Sequence, residues 1–374
     1  MKITNVRVFD LEGPARSGVA LYEIPRGGLA PNEVSSYRQR FTEIETDDGV
    51  TGLSPGGSAE VMAMGRALVG EDPMCVERIW ERFTTRPHGG TRNLRTLSVL
   101  DVALWDLIGK AKGESVCRLL GGPCQERIRA YAAMLGFAPR PAAAAERSAE
   151  WVEKGFSGLK WYLPHNETAG EAGLAQNVAL VKAVREAVGE GVDIMVDCIL
   201  SNSAMNSLLY AVKLARRLEP YGVTWLEEPL DTENLEMYER LAAATSVPLA
   251  FGEHLYARQR FKLALDRRIP SVIQPELMAV GGITEMRKVA VLAATAGVPL
   301  VPHANESCRN AIHLLFAHPT RSCPLAEWGV KINHNVQFFF RDFYAPVNGY
   351  FEPPIGSGFG YELDQDKIVY RRDL

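Results

Sequence analysis

The feature that most constrains the fold is a repeating unit in the C-terminal two thirds of the chain. Short apolar segments recur there, and a helical stretch follows each of them. These segments cover residues 156–163, 193–198, 223–227, 248–253, 271–276, 299–303 and 324–327. Strands that are apolar throughout and alternate with helices indicate a parallel sheet that is buried on both faces. Together with a strand near 129–135, these units predict a barrel of about eight strands.

The first part of the chain has a different pattern. Residues 37–46 alternate apolar and polar side chains as a strand does, and the acidic pair with glycine at 47–49 is a turn signal. Residues 97–112 carry apolar side chains at helical spacing, and Gly113 is a typical helix end. These patterns predict a mixed α+β unit before the repeats begin.

The change of pattern divides the chain into three parts. We expect an α+β capping domain over residues 1–125, a (β/α) barrel over 126–329 and a segment over 330–374 that returns to the capping domain. Two stretches rich in glycine, 12–34 and 51–58, are predicted to be loops that close over a site as a lid.

Composition excludes several classes of protein. The 374 residues include 41 basic and 45 acidic side chains, so a net charge of −4 gives no reason to expect a nucleic acid or an anionic membrane as partner. No apolar run approaches the roughly 18 residues that a membrane helix needs. The six cysteines form no CxxC pair and the N-terminus has the pattern of a strand, which together favour reduced thiols and a cytoplasmic protein.

Nearly every predicted barrel strand ends in a polar, mostly ionisable residue. These residues are Lys160, Tyr162, Asp197, Glu227, Glu253, Glu276, His303 and Glu327. In a parallel barrel the carboxyl ends of the strands converge on one face, where the active sites of such enzymes lie. Each residue alone has an ordinary explanation, such as a helix N-cap, so the functional interpretation depends on the whole set.

Three of these carboxylates predict a metal site. Asp197, Glu227 and Glu253 would repel one another unless a hard cation lay among them, and oxygen ligands suit Mg²⁺. Glu228 directly follows Glu227, and neighbours on a strand point to opposite faces, so we expect one of these two acids to be structural. His303 is the candidate base, because its ordinary pKa lies near neutrality.

Several longer motifs resemble those of the enolase superfamily. ALWDLIGKAKG at 103–113, LEEP at 226–229, GEH at 252–254 and QPELMAVGGITE at 274–285 are similar to its mandelate racemase subgroup, and the similarity covers essentially the whole chain. The resemblance implies an α/β fold in which a modified (β/α)8 TIM-type barrel carries an N-terminal α+β capping domain. It also implies Mg²⁺ bound by the three acids named above.

The resemblance further implies roles for the other strand-end residues. His303 would remove a proton next to a substrate carboxylate, with Glu276 as its carboxylate partner and Glu327 as a protonated donor to the resulting ene-diolate. Lys160 would hold the substrate carboxylate or the ene-diolate. The physical need is clear, because such a proton is very weakly acidic and positive charge must already be in place when it leaves.

Two departures from the subgroup affect the predicted reaction. Its second strand usually carries Lys-x-Lys, whereas this chain has Lys160 and Tyr162 at those positions. Racemisation needs acid or base groups on both faces of the substrate, and tyrosine, with a pKa of about 10, is a poor base. One face suffices for dehydration, in which His303 also protonates the departing β-hydroxyl. Glu276 is the second departure, since the family usually has aspartate there.

Among the dehydratases, the chain resembles the L-rhamnonate dehydratase branch. The likeness lies in DCILS at 197–201, VPHANES at 301–307 and the segment 345–364. It implies an aldonic acid of five or six carbons as the substrate, a 2-keto-3-deoxy acid as the product, and a homo-oligomer. We expect His254 and His165 to contribute to substrate binding.

Three other functions remain open from the sequence. A racemase, epimerase or cycloisomerase would use Tyr162 or a repositioned Lys160 opposite His303. A Schiff-base aldolase would use Lys160 as its nucleophile. A barrel that binds sugar acids without converting them is a third, non-enzymatic possibility.

Overall fold

The computed structural model describes residues 1–15, 36–84, 93–198, 207–304 and 308–374. Most of the predicted lid at 12–34 lies outside the described residues, as do the ends of the DCILS and VPHANES motifs. The strands are β1 (Ile3–Ala15), β2 (Ser36–Thr46), β3 (Thr51–Pro55), β4 (Ile128–Ala133), β5 (Gly158–Tyr162), β6 (Asp193–Asp197), β7 (Trp225–Glu227), β8 (Leu249–Phe251), β9 (Val272–Ile273), β10 (Leu325–Gly329), β11 (Tyr350–Phe351) and β12 (Tyr370–Asp373).

The α-helices lie mainly between these strands. They are α1 (Ala59–Arg66), α2 (Val76–Thr84), α3 (Leu94–Lys112), α4 (Val116–Leu119), α5 (Pro141–Glu153), α6 (Gly170–Val188), α7 (Leu208–Leu218), α8 (Leu235–Ala242), α9 (Ala257–Asp266), α10 (Leu277–Val280), α11 (Gly282–Ala296), α12 (Cys308–Phe316) and α13 (Asn333–Val336). None of the helices in the described ranges is long and apolar enough to cross a membrane.

Four antiparallel strands form the N-terminal sheet, in the order β12-β1-β2-β3. The predicted turn after β2 is confirmed, because Gly49 has a φ of +78° and the amide of Thr46 donates to the carbonyl of Val50. The prediction of a loop at 51–58 is wrong for its first five residues, which are β3. Gly52 of this strand packs so closely on α3 that a Cβ atom would lie 2.0 Å from the Ala103 carbonyl, so its glycine marks a close contact and not a loop.

The first residues of the other predicted loop, 12–34, also belong to a strand. β1 continues to residue 15, and its residues pair with β2 as far as Ser36. The sequence 12–15 contains glycine and proline, which weaken a strand pattern, but pairing with β2 overrides that local preference.

Helix α3 connects the N-terminal sheet to the barrel, and it confirms the predicted helix at 97–112. Asn93 caps its first turn by accepting from the amide of Thr96, and Gly113 ends it in the left-handed conformation. The Trp105 indole donates to Thr284 Oγ1 on α11 at 2.9 Å. This helix is buried along most of its length, because it packs on β2 and β3 of the sheet and on α10 and α11 of the barrel.

The predicted barrel is confirmed. Seven parallel strands pair in the order β10-β4-β5-β6-β7-β8-β9. Residues 299–303 occupy the eighth position, between β9 and β10. Leu300 forms a parallel bridge with Ile273 of β9, and His303 forms one with Glu276 at the carboxyl end. On the other side, the Leu300 amide donates to the carbonyl of Ser322, just before β10.

The C-terminal segment contacts both parts of the molecule. β11 pairs with β4 of the barrel, whereas β12 lies antiparallel to β1 with Asp373 opposite Phe9. The predicted boundaries near 125 and 329 stay predictions. The pairing of β12 with β1 brings the end of the chain into contact with the N-terminal sheet.

An apolar layer fills the barrel below its carboxyl end. Its buried residues are Tyr131, Ala133, Met195, Trp225, Ala250, Val301 and Leu325. Met195, Trp225 and Leu325 each lie two residues before a strand-end acid, and so they point to the same side of their strands as those acids. The polar side chains therefore lie above a closed apolar floor.

Candidate active site

Lys160 lies at the centre of a group of buried carboxylates. Its Nζ atom is 2.7 Å from Glu227 Oε1, 2.7 Å from Glu327 Oε1 and 3.2 Å from Asp197 Oδ2. These side chains come from β10, β5, β6 and β7, which are four of the five consecutive strands β10-β4-β5-β6-β7. All four residues are at most 2% exposed.

The charge of this group is not balanced internally. Burial alone would lower the pKa of Lys160, but the charges of Glu227 and Glu327 outweigh it and raise that pKa well above its usual value. Burial and the charge of Glu227 raise the pKa of Asp197 well above its usual value, in spite of Lys160. Lys160 is therefore protonated, and its one ammonium group faces three carboxyl groups.

Two residues that sequence reasoning missed hold the other oxygen of Glu227. The Trp225 indole donates to Glu227 Oε2 at 3.0 Å, and the Gln274 amide donates to the same atom at 2.7 Å. Gln274 follows β9 directly and lies two residues before Glu276. A search for neutral polar residues at strand ends would have found it, whereas the indole of Trp225 carries no signal beyond its apolar character.

His303 lies between two carboxylates. Its Nδ1 atom is 2.8 Å from Glu276 Oε2 and its Nε2 atom is 2.9 Å from Glu253 Oε2. Burial would lower the pKa of His303, but the charge of Glu253 and then that of Glu327 outweigh it and raise the pKa well above its usual value. Burial would raise the pKa of Glu253, but His303 beside it lowers that pKa to about 2.

The second oxygen of Glu276 has a structural partner. Glu276 Oε1 accepts from the amide of Met278 at 2.8 Å and so caps helix α10. The structure brings His303 and Glu276 together as expected, and the longer glutamate side chain reaches both the imidazole and the helix. Glu327 Oε2 accepts from the amide of Ala304, the residue after His303, at 2.7 Å.

A third group comprises Glu228, Glu253 and His254. One potential ligand atom from each lies within 4.8 Å of the others, a metal-binding spacing that, among the described residues, includes Glu253 of the predicted metal ligands but neither Asp197 nor Glu227. The expectation that one of the two adjacent acids is structural stays a prediction, since Glu228 Oε1 accepts from the amide of Gly252 at 3.0 Å while its Oε2 contacts His254. β7 ends at Glu227, and Glu228 has a φ of +40°, so the strand alternation stops there and both carboxylates face the site.

His254 is bound within this group. Its Nδ1 atom is 2.5 Å from Glu228 Oε2, and this hydrogen bond raises the pKa of His254 although burial opposes it. Burial raises the pKa of Glu228 in spite of that partner. The imidazole is 43% exposed, so it is the part of the cluster that a substrate would reach first.

Two predicted residues lie at the edge of the site. Tyr162 is buried beside Leu135 and Ile332, and Lys160 Nζ is 5.6 Å from its ring centroid. His165 lies in the loop after β5, where the Asn177 side chain accepts from its amide and donates to its carbonyl. His165 is held by helix α6 rather than by the acidic clusters.

The whole donor set fits a divalent cation. Six carboxylates, from Asp197, Glu227, Glu228, Glu253, Glu276 and Glu327, converge with three basic groups, from Lys160, His254 and His303. Six carboxyl groups thus face at most three cations in a largely buried region. Hard oxygen donors in this excess are the ligands that Mg²⁺ and Ca²⁺ take in proteins.

The parallel barrel has an acidic site at the carboxyl ends of its strands, and β1 and β12 from the two ends of the chain lie in one capping sheet. This combination defines a class of barrel enzymes. Residues 143–367 match the family model described as enolase C-terminal domain-like. Residues 29–121 match the N-terminal domain of mandelate racemase and muconate lactonizing enzyme. The chain belongs to the enolase superfamily, in its mandelate racemase subgroup.

Three curated relatives are similar over nearly the whole chain. A Caldivirga maquilingensis protein, provisionally named an L-rhamnonate dehydratase, is 34% identical and covers 94% of this chain and 87% of its own. The D-galactarolactone cycloisomerase of Agrobacterium fabrum is 32% identical, with coverages of 88% and 90%. The D-galactonate dehydratase of Pectobacterium atrosepticum is 31% identical, with coverages of 89% and 91%.

Solved structures support the same fold. An enolase superfamily member from Salmonella Typhimurium has a TM-score of 0.83 and 24% sequence identity, and the match covers 100% of this chain and 99% of that one. At this identity the likeness concerns the fold alone. The relatives and the family models together indicate an enzyme that acts on an acid sugar.

Proposed function

We propose that this protein is a Mg²⁺-dependent dehydratase that converts an aldonic acid, with an L-rhamnonate-like substrate favoured, into a 2-keto-3-deoxy acid. The observation that carries the proposal is the asymmetry of the site. His303 is held by Glu276 in a histidine–carboxylate pair, whereas the place of the family's second lysine is taken by the buried Tyr162. Relatives named as dehydratases support this choice.

His303 would carry both proton transfers. Glu276 holds Nδ1, and Nε2, which lies 2.9 Å from Glu253 Oε2 in this structure, would take the substrate's α-proton once Glu253 turns to the metal. The same imidazolium would then protonate the β-hydroxyl, which leaves as water, and the remaining enol would become the keto acid. Lys160 would neutralise charge on the substrate carboxylate, and Glu327, beside Lys160, would be the hydrogen-bond donor to the intermediate.

Asp197, Glu227 and Glu253 would hold the metal. Their side chains are buried, and they belong to the group of six carboxyl groups that outnumber the three basic groups of the site. When bound, Mg²⁺ would supply positive charge to the substrate carboxylate as the α-proton leaves. Glu253 Oε1 lies 3.6 Å from His254 Nδ1 and Oε2 lies 2.9 Å from His303 Nε2, so we propose that metal binding would draw this carboxylate away from His303.

The proposal is tested by a screen of the purified protein with Mg²⁺ against mono- and diacid sugars, with a carbonyl reagent to detect 2-keto-3-deoxy products. The matched controls are an EDTA-treated sample and the His303→Asn variant, in which the amide cannot act as a base. A product that both controls abolish supports the dehydratase. Product that persists in the variant would refute the role of His303.

A cycloisomerase is the second candidate, and the relative from Agrobacterium fabrum is the observation that favours it. Such an enzyme also needs only one proton-transfer face. Turnover of a sugar lactone, with no turnover of the open-chain acid sugars, would support it over the dehydratase.

The structure disfavours the Schiff-base aldolase. An amine nucleophile must be deprotonated, whereas the carboxylates around Lys160 raise its pKa well above the usual value. Borohydride reduction in the presence of a keto acid is expected to leave Lys160 unmodified, which peptide mass spectrometry would verify.

A further inference from the structure

We infer that Gln274 is a positioning residue that fixes the carboxylate of Glu227 for metal binding. The inference rests on the proposed function, because it assumes that Glu227 is a metal ligand. It concerns a residue that does not bind the metal or the substrate itself.

Gln274 is one of three donors that contact the two oxygens of Glu227. The Gln274 amide and the Trp225 indole both donate to Oε2, at 2.7 Å and 3.0 Å, while Lys160 Nζ lies 2.7 Å from Oε1. These three partners come from β7 itself, from β5 and from the end of β9. With donors on both oxygens, rotation of the carboxylate about its terminal bond would break at least one hydrogen bond.

The orientation of the Gln274 amide is determined by Glu227. If the amide were turned round, its oxygen would face a carboxylate oxygen, so only the NH₂ group can lie on that side. Gln274 Oε1 then has no hydrogen-bond partner among the described residues, although the side chain is only 1% exposed. Burying an amide oxygen without a partner destabilises a folded protein.

This unpaired buried oxygen indicates that Gln274 has a role other than stabilising the fold. A leucine has a similar volume and would fill the same space without leaving a buried polar atom unpaired. The stability of the barrel therefore does not explain a glutamine at position 274, whereas the hydrogen bond to Glu227 does. Loss of such an outer partner of a metal ligand typically weakens metal binding by 10–100-fold.

The test is the Gln274→Leu variant of the full chain. Mn²⁺ binding, as a probe for the divalent site, is measured by isothermal titration calorimetry, and the thermal midpoint of the metal-free protein is measured in EDTA. We expect Mn²⁺ to bind about 10–100-fold more weakly. The metal-free midpoint is expected to equal or exceed that of the wild type.

A second buried glutamine provides the matched control. Gln337 is 3% exposed, and its amide donates to the carbonyl of Tyr344 at 3.0 Å and accepts from the amide of Tyr344 at 3.1 Å. Both polar atoms of Gln337 are thus satisfied by the backbone of the C-terminal segment. Gln337→Leu is expected to show the opposite result, with a lower thermal midpoint and unchanged Mn²⁺ affinity.

Gln274→Met is a second variant, with an unbranched side chain of similar length and no donor, and the same result is expected. Wild-type affinity in either folded Gln274 variant would overturn the inference. A lowered metal-free midpoint with unchanged Mn²⁺ affinity, or failure of both variants to fold, would also overturn it, because the role would then be structural. Absence of Mn²⁺ and Mg²⁺ binding in the wild type would instead refute the proposed metal site.

Discussion

Among single residues, Asp101 shows how burial changes an ordinary carboxyl group. It lies on α3 and is 2% exposed, and its Oδ2 atom accepts from the amide of Thr284 at 3.0 Å in the first turn of α11. Burial raises the pKa of Asp101 to about 7, even though the hydrogen bonds from Thr284 lower it. A group that joins the cap to the barrel therefore titrates near neutral pH.

The first prediction concerns the pH dependence of stability. Because the folded-state pKa of Asp101 is raised from 3.8 to about 7, its contribution is fully present below pH 3.8 and is lost as the pH rises through about 7. Asp101→Asn keeps an acceptor for Thr284 but cannot ionise. Its free energy of unfolding should therefore fall less than that of the wild type between pH 5 and pH 8, by on the order of a few kcal/mol. Urea unfolding at several pH values measures this, and parallel curves would contradict it.

The second prediction concerns Lys160, the buried cation among three carboxylates. Removal of one partner from a buried ionic group leaves charge uncompensated and typically costs about 3–5 kcal/mol. Lys160→Met should lower the free energy of unfolding in EDTA by about that amount. Added Mg²⁺ should recover more stability in this variant than in the wild type. Urea unfolding with and without Mg²⁺ tests both points, and an unchanged midpoint in EDTA would show that the ion pairs contribute little.

At the scale of elements, the start of α11 is where the cap is fastened to the barrel. Ser98 Oγ accepts from the amide of Gly281, and the Trp80 indole donates to the carbonyl of Gly281. Gly282 has a φ of +79°, and a Cβ atom there would lie 2.3 Å from Asp101 Oδ2. This turn follows α10, which Glu276 caps, so the contact between cap and barrel is one short helix away from the predicted catalytic pair.

The third prediction uses the glycines at the two ends of α11. Gly297 ends the helix with a φ of +72° and has nothing within 4 Å of its Cβ position, so alanine there would add only backbone strain, of roughly 1–2 kcal/mol. Gly282→Ala would add the same type of strain and a clash with Asp101. It should destabilise the protein by about 1–3 kcal/mol more than Gly297→Ala, the usual cost of overpacking. Equal thermal midpoints for the two variants would refute the clash.

Periodicity predicts the elements whose burial is uniform. The barrel strands are predictable because both of their faces are buried. Helix α3 is predictable because its apolar residues have helical spacing and Gly113 directly follows its last residue. β3 was missed because Gly52 and Pro55 resemble a loop locally, whereas its pairing with β2 is a long-range contact. The pairing of β12 with β1 spans the whole chain, and no local pattern in the exposed residues 370–373 indicates it.

Part of the candidate site could likewise be predicted from the sequence, and part could not. Strand ends bring the ionisable residues to one face, so the meeting of Lys160 with its acids and of His303 with Glu276 could be predicted. The entry of Glu228 into the site depends on a single positive φ value, which alternation cannot anticipate. The roles of Trp225 and Gln274 arise only from three-dimensional contact with Glu227.

At the scale of the whole molecule, the fourth prediction is that a divalent cation stabilises the folded chain. A ligand that binds only the folded state adds about 2.7 kcal/mol at a concentration of 100 times its dissociation constant. Mg²⁺ should therefore raise the thermal midpoint, and EDTA should reverse the change. Asp197→Asn serves as the control, because removal of a proposed ligand should abolish most of the shift. A midpoint that does not respond to Mg²⁺ in the wild type would contradict the metal site.

The central claim is that one face of the site completes the reaction. Its most direct test is to incubate the enzyme, Mg²⁺ and the aldonic acid found in the screen in D₂O, and to follow substrate and product by NMR. We predict a 2-keto-3-deoxy acid that carries one solvent deuterium at C3, and recovered substrate that carries none at C2. Deuterium at C2 of the recovered substrate or of its epimer, without keto acid, would contradict the dehydratase and identify an epimerase or racemase.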